Sequence, residues 1–266
     1  MRVARGLGRL HASPHPAFVV VGVFDGLHLG HQYLLGHLVA EAAARDARPM
    51  VLTFDHHPDE LITGSAPPLL CDPDERLVRL AAAGVDLVVV QHFDAALRGT
   101  TYDAFVRTIA DRVDLAGFLM TPDAAFGHER RGTPATVAAL GVTEHFDVVV
   151  VPPLDLDGRP VRSSEIRSAL GRGDLALARR LLGRAIEVVG EIGERPGEGT
   201  GRVRFEVPVA LPQDGTYRVR VRTEGGSQST SVSAVAVVQG DVVRLHSMRG
   251  PMPTGRVRVR FVAPSR

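Results

Sequence analysis

Short apolar runs without polar alternation dominate the first part of this chain, and they restrict its fold more than any other feature. The runs are AFVVVGVF, PMVLTF, VDLVVV, AGFLM and DVVVVP. Uninterrupted runs of this length are typical of strands that are covered on both faces. Apolar residues at helical spacing lie between and after them, as in TYDAFVRTIADR and DLALARRLL. The alternation predicts an α/β fold over residues 1–183, with a doubly wound parallel sheet.

The sequence from Arg184 onward has a different rhythm. A run rich in Gly, Glu and Pro is followed by RVRFEVPV, TYRVRVRT, SAVAVV, DVVRLHS and GRVRVRFV, which alternate apolar and polar residues. Period-two alternation between turns is typical of half-exposed antiparallel strands. We therefore predict a second domain over residues 184–266, a small antiparallel β-barrel or a sandwich.

Composition sets limits on partners and location. The formal net charge of +1 gives no reason to expect nucleic acid or an anionic membrane as a partner. The single cysteine, Cys71, cannot form an internal disulfide, which fits a reducing compartment. No apolar run approaches the ~20 residues that span a bilayer. We expect a cytoplasmic protein without a membrane partner.

The segment VGVFDGLHLGHQYLL, residues 21–35, begins as a strand and ends as a helix. Glycines and histidines lie between the two, namely Gly22, Gly26, Gly30, His28 and His31. A helix N-terminus attracts anions through unpaired N–H groups, and glycines let the backbone approach a phosphate closely. The segment therefore predicts a phosphate-binding turn at the carboxyl end of a strand.

A metal site is an alternative explanation for two histidines three positions apart. Zinc needs three or four ligands, and Cys71 lies far away without metal-binding spacing around it. His56 and His57 could complete a set, but TFDHHP fits a strand end better. We predict no metal ligands in this chain.

The same segment carries a family resemblance. GVFDGLHLGH resembles the H-x-G-H signature of nucleotidylyltransferases, and its wider form resembles G-x-F-D-G-x-H-x-G-H-Q of bacterial FAD synthetases, which usually also carry a riboflavin kinase. TFDHHP resembles T-F-x-P-H-P, with His56 where proline is usual. PDAAFGHERRG resembles E-D-F-x-F-G-x-x-R-x-G, and VRSSEIR resembles I-S-S-T-x-I-R. The resemblance covers residues 18–184.

The resemblance implies transfer of AMP from ATP to FMN, which gives FAD and pyrophosphate, with Mg²⁺ as the cofactor that bridges the phosphates. It implies that His28 and His31 hold ATP phosphates at the reacting phosphorus. Ser163, Ser164 and Arg167 would bind the β- and γ-phosphates.

The resemblance also implies further nucleotide- and flavin-binding positions, namely Gly22, Phe24, Asp25, Gly26, Gly30, Asp123, Phe126 and Arg130. For Asp25, anchoring the turn and touching ribose both remain open. For Asp123, Phe126 and Arg130, a structural role is the alternative to contact with flavin or nucleotide.

Departures from the family pattern leave other functions open. Arg162 replaces the first serine of the phosphate signature, and Thr121 and Ala124 replace the glycine and phenylalanine beside Asp123. Ala124 lacks the aromatic ring that the family has there, and this change favours one alternative, in which AMP is transferred to a flavin analogue or another phosphorylated metabolite. A regulator that binds flavin or nucleotide without catalysis is a further alternative.

The second half lacks the residues that the family's kinase module uses. Its P-T-A-N loop is missing, because the chain contains no asparagine, and no glutamate follows Glu224 to act as the base on the strand VVRLH. We therefore predict a barrel without riboflavin kinase activity. We expect it to brace the first domain or to form a homo-oligomer surface through exposed strand edges.

Overall fold

The computed structural model describes residues 1–10, 15–193, 199–224 and 231–265. They belong to two compact units, one made of residues 1–67 with 76–160 and the other of residues 68–75 with 161–266. The predicted domain boundary, between Gly183 and Arg184, marks the point where helices give way to barrel strands in the second unit. It remains a prediction.

The first unit contains a six-stranded parallel sheet with the order β1-β4-β3-β2-β5-β6. Its strands are β1 (Arg2–Arg5), β2 (Ala17–Val21), β3 (Arg48–Phe54), β4 (Leu87–Gln91), β5 (Leu115–Met120) and β6 (Asp147–Val150). The five predicted strands and the α/β class are confirmed. The sequence analysis missed β1, a short edge strand whose charged ends conceal its β character.

Helices flank this sheet and follow the apolar spacing seen in the sequence. They are α1 (Leu29–Ala44), α2 (Pro58–Thr63), α3 (Pro73–Ala82), α4 (Ala95–Gly99), α5 (Tyr102–Ala110) and α6 (Pro134–Glu144). A two-residue hairpin, β7 (Asp155–Leu156) with β8 (Arg159–Pro160), ends the unit. Within the described ranges, no helix combines the length and apolar character that crossing a bilayer requires.

Apolar residues on alternate positions of each strand enter two separate clusters. Val19 and Met50 belong to one cluster, whereas Phe18, Val20 and Val51 belong to the other. Successive strand residues point to opposite faces, so both faces of the sheet are buried. This double burial is the physical reason for the apolar runs without polar alternation.

The strand order reverses beside β2. The chain moves from β2 to β3 and β4 on one side, and then returns to place β5 on the other side of β2. In such sheets, ligands bind outside the carboxyl ends of the strands at the point of reversal. The turn after β2 lies at that point.

The second unit contains a closed antiparallel barrel with the order β10-β13-β12-β11-β14-β9. Helices α7 (Ser163–Gly171) and α8 (Leu175–Leu182) precede the strands β9 (Ile186–Ile192), β10 (Thr200–Arg204), β11 (Gly215–Thr223), β12 (Ser231–Gln239), β13 (Val242–Ser247) and β14 (Gly255–Pro264). Because the sheet closes on itself, the second unit is a barrel and not a sandwich. Each of the six described barrel strands is paired on both sides, so the expectation of assembly through exposed strand edges is wrong. The sequence analysis missed β9, because its apolar IEVV runs directly into the Gly- and Glu-rich segment.

Residues 68–75 belong to the barrel unit through backbone and ionic contacts. Leu69 N donates to Pro208 O at 2.9 Å, and Ala210 N donates to Leu69 O at 2.8 Å. Arg258 donates from Nη1 to Glu75 Oε2 at 2.6 Å and from Nε to Glu224 Oε1 at 2.7 Å. Burial acts to lower the pKa of Arg258, but its hydrogen bonds to Glu224 and Glu75 outweigh this and raise the pKa.

Candidate active site

The turn between β2 and α1 has an unusual backbone conformation. Phe24 and Leu27 adopt positive φ values of 53° and 39°, and Gly26 adopts 79°. A non-glycine residue in this region costs roughly 1–3 kcal/mol, which the surroundings must offset. Phe24 and Leu27 are each only 2% exposed and pack in the core, so burial of their side chains holds the strained turn in place.

Polar side chains from neighbouring elements also fix this turn. The carbonyl oxygen of Val23 accepts hydrogen bonds from Thr53 Oγ1 at 3.0 Å and from Arg76 Nη1 at 3.2 Å. The buried Arg76 also donates from Nη2 to Phe54 O at 3.0 Å. One guanidinium therefore ties the residues that follow β2 to the end of β3. Asp25 is buried inside the same turn, which agrees with an anchoring role.

His28 is the N-cap of α1. Its Nδ1 accepts the backbone N–H of His31 at 3.2 Å, so in the neutral ring the proton lies on Nε2. The two imidazoles stack, with centroids 3.7 Å apart and planes inclined by 17°. The ring of Phe24 lies 5.1 Å from that of His31. The turn therefore places two imidazoles together at the positive end of a helix of 16 residues.

His31 Nδ1 is buried and makes no hydrogen bond to the described part of the chain. A buried polar atom without a partner costs about 1–3 kcal/mol, so such an atom is typically met by an ordered water, an ion or a ligand. Burial, and secondarily the neighbouring His28, lower the pKa of His31 well below its ordinary value. The ring is therefore neutral near pH 7 in the free protein.

A cavity of about 700 Å³ opens at the carboxyl edge of the sheet, within the first unit. Its size is within the range of small-molecule sites. The wall comes from the ends of β2, β3 and β5 and from parts of the loops and helices that follow strands of the sheet. Its residues are Val21, Gly22, Val23, Leu34, Phe54, His57, Pro58, Asp59, Ile62, Phe93, Leu97, Arg98, Phe105, Phe118, Leu119, Met120, Thr121, Ala124, Ala125, Phe126, Gly127, His128, Glu129 and Arg130. The histidines His28 and His31 belong to the adjoining turn and not to this wall.

Aromatic rings form much of the cavity wall. Phe54 and Phe93 meet edge to face at 5.3 Å, and Phe126 lies 5.5 Å from Phe105 and 5.8 Å from Phe118. Polar side chains on the same wall include His57, Arg98 and Arg130. Five phenylalanine rings and two arginines on one wall suit a flat ring system that carries a phosphate.

The loop 126–132 closes one side of the cavity and requires glycine at two places. Phe126 and Gly132 pair in antiparallel fashion, with Gly132 N donating to Phe126 O at 2.9 Å. A Cβ on Gly132 would lie 2.7 Å from Tyr102 Cβ, and one on Gly127 would lie 2.5 Å from Tyr102 N. Arg130, at a φ of 56°, donates from Nη2 to Asp123 O at 3.2 Å.

We expect Gly132→Ala to destabilise the protein by about 1–3 kcal/mol, because the new methyl group overlaps backbone and Cβ atoms that cannot rotate away. Urea denaturation followed by circular dichroism measures the change. Gly36→Ala is the matched control. Gly36 lies inside α1, and no atom lies within 4 Å of the place that an added methyl group would take, so the change should stabilise by up to about 1 kcal/mol. Equal stability of Gly132→Ala and the unaltered protein would contradict the close packing of this loop.

The structure divides the sequence-predicted site residues between its two units. The first unit holds Gly22, Phe24, Asp25, Gly26, His28, Gly30, His31, Asp123, Phe126 and Arg130. Of these, Gly22, Phe126 and Arg130 line the cavity. Phe24 is core and supports the ring of His31, whereas Asp123 is exposed and accepts from Thr121 Oγ1 at 2.8 Å.

Ser163, Ser164 and Arg167 belong to the second unit. The two serines open α7, whose N-cap residue Arg162 makes no side-chain capping bond. Arg167 Nε donates to Pro68 O at 2.8 Å. The three side chains therefore occupy the first turns of one helix, with its N–H groups at the same end.

Sequence reasoning missed several cavity residues, including His57, Phe93, Arg98 and His128. For His57 and Phe93 a signal existed, because each follows a predicted parallel strand and therefore lies at the carboxyl edge. Arg98 and His128 come from a short helix and an irregular loop, which no periodic pattern marks.

A parallel sheet with an H-x-G-H turn at its point of reversal and a cavity beside that turn defines a domain of the nucleotidylyltransferase class. Residues 10–165 match the family model described as FAD synthetase. The chain belongs to the FAD synthetase family, as the resemblance in its sequence predicted.

Curated relatives agree with this assignment. The bifunctional riboflavin kinase/FMN adenylyltransferase of Haemophilus influenzae is 31% identical over 85% of this chain and 76% of its own length. The enzyme of the same name from Escherichia coli K12 is 32% identical over 83% of this chain and 73% of its own length. A crystal structure titled macrolide-efflux protein, from Streptococcus pneumoniae, superposes with a TM-score of 0.81 over 99% of this chain and 90% of its own. At 22% identity, that likeness shows the fold alone.

Proposed function

We propose that this protein is an FMN adenylyltransferase, which transfers AMP from ATP to the phosphate of FMN and releases pyrophosphate. The observation that carries the proposal is the pair of stacked imidazoles at the N-terminus of α1, next to an aromatic-walled cavity at the reversal point of the sheet. The family match and the names of the curated relatives support the same reaction.

The reaction needs no protein nucleophile. An oxygen of the FMN phosphate attacks the α-phosphorus of ATP, a new P–O bond forms, and the bond from the α-phosphorus to the bridging oxygen breaks. The protein positions the two substrates and neutralises developing charge. His28 donates from Nε2, and His31 supplies the ring nitrogen that lacks a partner within the described chain.

The remaining phosphate and flavin contacts follow from the family motifs. Ser163, Ser164 and Arg167 bind the β- and γ-phosphates in this proposal. Gly22, Gly26 and Gly30 give the phosphates close access to backbone. Phe126 and Arg130, both on the cavity wall, contact the flavin side of the reaction.

Mg²⁺ is proposed to enter with ATP. It prefers oxygen ligands and keeps several phosphate and water oxygens in sites of this kind. Asp59 and Glu129 are among the residues that line the cavity, and their carboxylates are oxygen ligands of the type that this ion prefers. When bound, the ion neutralises phosphate charge at the reacting centre.

The acceptor is tested by a screen with ATP and Mg²⁺, in which pyrophosphate release is measured with FMN, flavin analogues and other phosphorylated metabolites. We expect FMN to give the highest kcat/KM and FAD to be the product detected by chromatography. A different acceptor is the second candidate function, favoured by Ala124, which lines the cavity at the position where the family pattern has phenylalanine. Binding of FMN and ATP without pyrophosphate release would support a regulator and contradict both.

ATP binding is expected to take up protons on His31. The pKa of this ring is lowered in the free protein, and a nearby triphosphate would raise it. Between the two pKa values, the complex holds more protons than the free protein, so affinity increases as pH falls. Calorimetry in buffers of different ionisation enthalpy counts these protons. His31→Gln should show a smaller uptake, and an unchanged count would contradict the contact.

We propose that the protein lacks riboflavin kinase activity. The stretch that corresponds to the kinase loop lies partly at residues 194–198, outside the described residues. The described strand β13 carries Arg244 and no carboxylate. Location in the cytoplasm and a homo-oligomer surface on the barrel remain predictions.

A further inference from the structure

Three potential metal ligands lie together outside the cavity wall. Asp55 and His56 directly follow β3, and His92 directly follows β4, the neighbouring strand. One ligand atom from each residue lies within 4.8 Å of the others. The sequence analysis weighed His56 and His57 only as additions to His28 and His31, and it predicted no metal ligands. The structure instead brings His56 to Asp55 and His92.

Hydrogen bonds that involve the backbone fix the position of this cluster. Asp55 N donates to Gln91 O at 3.2 Å, and Asp55 Oδ1 accepts from His56 N at 2.8 Å. Asp55 Oδ2 lies 2.7 Å from His92 Nδ1, and the rings of His56 and His92 meet edge to face at 5.7 Å. The three side chains therefore converge without any movement of the main chain.

We propose that Asp55, His56 and His92 bind one zinc ion, with water or the Glu60 carboxylate as the fourth ligand. Glu60 Oε2 lies 3.6 Å from His56 Nδ1. Bonds of 2.0–2.2 Å in a tetrahedral site separate ligand atoms by about 3.3 Å, a spacing between the shortest and longest separations in the cluster. The imidazoles are 57% and 60% exposed, so the surrounding chain leaves room for the small ring rotations that a shared ion requires.

The ligand chemistry distinguishes this ion from the magnesium that accompanies ATP. Two imidazole nitrogens with one carboxylate suit zinc and neighbouring transition metals, whereas Mg²⁺ takes oxygen ligands. His56 also stands where the family motif has proline, which cannot bind a metal. The site is thus a property of this chain and does not depend on the proposed reaction.

Zinc binding would join two parts of the cavity wall. His57 and Phe93, which line the cavity, directly follow His56 and His92 in the sequence. Phe93 N also donates to Asp55 Oδ1 at 3.3 Å. An ion bound to this cluster would fix both segments relative to each other.

The test is calorimetric titration of the full, tag-free chain with zinc chloride, with cobalt chloride as a spectroscopic substitute. We expect one ion per chain, a visible cobalt spectrum of tetrahedral type, and a Tm that rises with zinc. His56→Gln and His92→Gln should each weaken binding by about a hundredfold or more, since even residues that only support metal ligands contribute 10–100-fold.

His246→Gln is the matched control, because His246 is exposed on β13 in the barrel. It should bind zinc as the unaltered chain does. Circular dichroism without metal checks that each variant is folded. Absence of zinc binding in the unaltered chain would overturn the proposal. Equal affinity in His56→Gln, His92→Gln and the unaltered chain would also overturn it, because the ion would then lie at other histidines.

Discussion

His31→Ala is expected to lower the rate of FAD formation by at least about a hundredfold. Removal of one preorganised donor from a charge-stabilising site costs about 10²–10³ in kcat. The ring nitrogen of His31 is buried without a partner in the described structure, and its neighbour His28 fixes the start of the helix. The ring stacks on His28 at 3.7 Å and contacts Phe24 at 5.1 Å, so it is held in place and needs little reorganisation as charge develops.

The measurement is kcat and KM for ATP and FMN by chromatographic detection of FAD. We expect kcat to fall much more than KM rises, because the contact strengthens as charge develops. His31→Gln keeps hydrogen-bonding capacity and should retain more activity than His31→Ala. His37→Ala is the matched control, since His37 lies on the same helix and packs edge to face against Tyr33 at 4.6 Å. Full turnover in His31→Ala would contradict the phosphate role of this ring.

Riboflavin and ATP are expected to yield no FMN with this protein. A kinase must deprotonate the riboflavin hydroxyl, and a base must be within reach and have a suitable pKa. The last glutamate in the sequence is Glu224, and Arg258 holds it with two hydrogen bonds of 2.7 and 3.3 Å. These hydrogen bonds lower the pKa of Glu224, so it is a weak base.

The assay supplies riboflavin, ATP and each of several divalent metals and detects FMN by chromatography. The same preparation with FMN in place of riboflavin is the positive control, because FAD formation proves that the protein is folded and binds ATP. Formation of FMN above the level of a protein-free sample would overturn the prediction. FMN formation by the His31→Ala variant as well would place the kinase activity in a site that does not use this ring.

Much of the fold was predictable because the strands of each unit carry a recognisable pattern of apolar residues. The runs around Val19 and Val51 show no polar alternation, since each strand is covered on both faces. The alternating segment TYRVRVRT forms most of β11. Val219 and Val221 are buried there, whereas the alternating arginines Arg218, Arg220 and Arg222 are exposed. The sequence analysis missed the edge strand β1, because a short strand with charged ends shows neither an apolar run nor an alternation.

The candidate site was predictable only where one stretch of chain carries it. The turn with His28 and His31 is local, so glycine positions and a strand–helix transition reveal it. The cavity wall is different, since Phe54, Phe93 and Phe126 come from three separate stretches. These three rings are close together only because of the order of the strands in the sheet, and no short stretch of sequence predicts that order.

The sequence by itself determined the class of each unit, the position of the turn that carries His28 and His31, and the family, because these depend on local periodicity and on motifs within short stretches. Only the tertiary structure decided that Phe24 supports the ring of His31 rather than lining the cavity, and that His56 lies with Asp55 and His92. The reason is physical. Burial and the pairing of neighbouring strands set which side chains meet, and both belong to the folded chain as a whole.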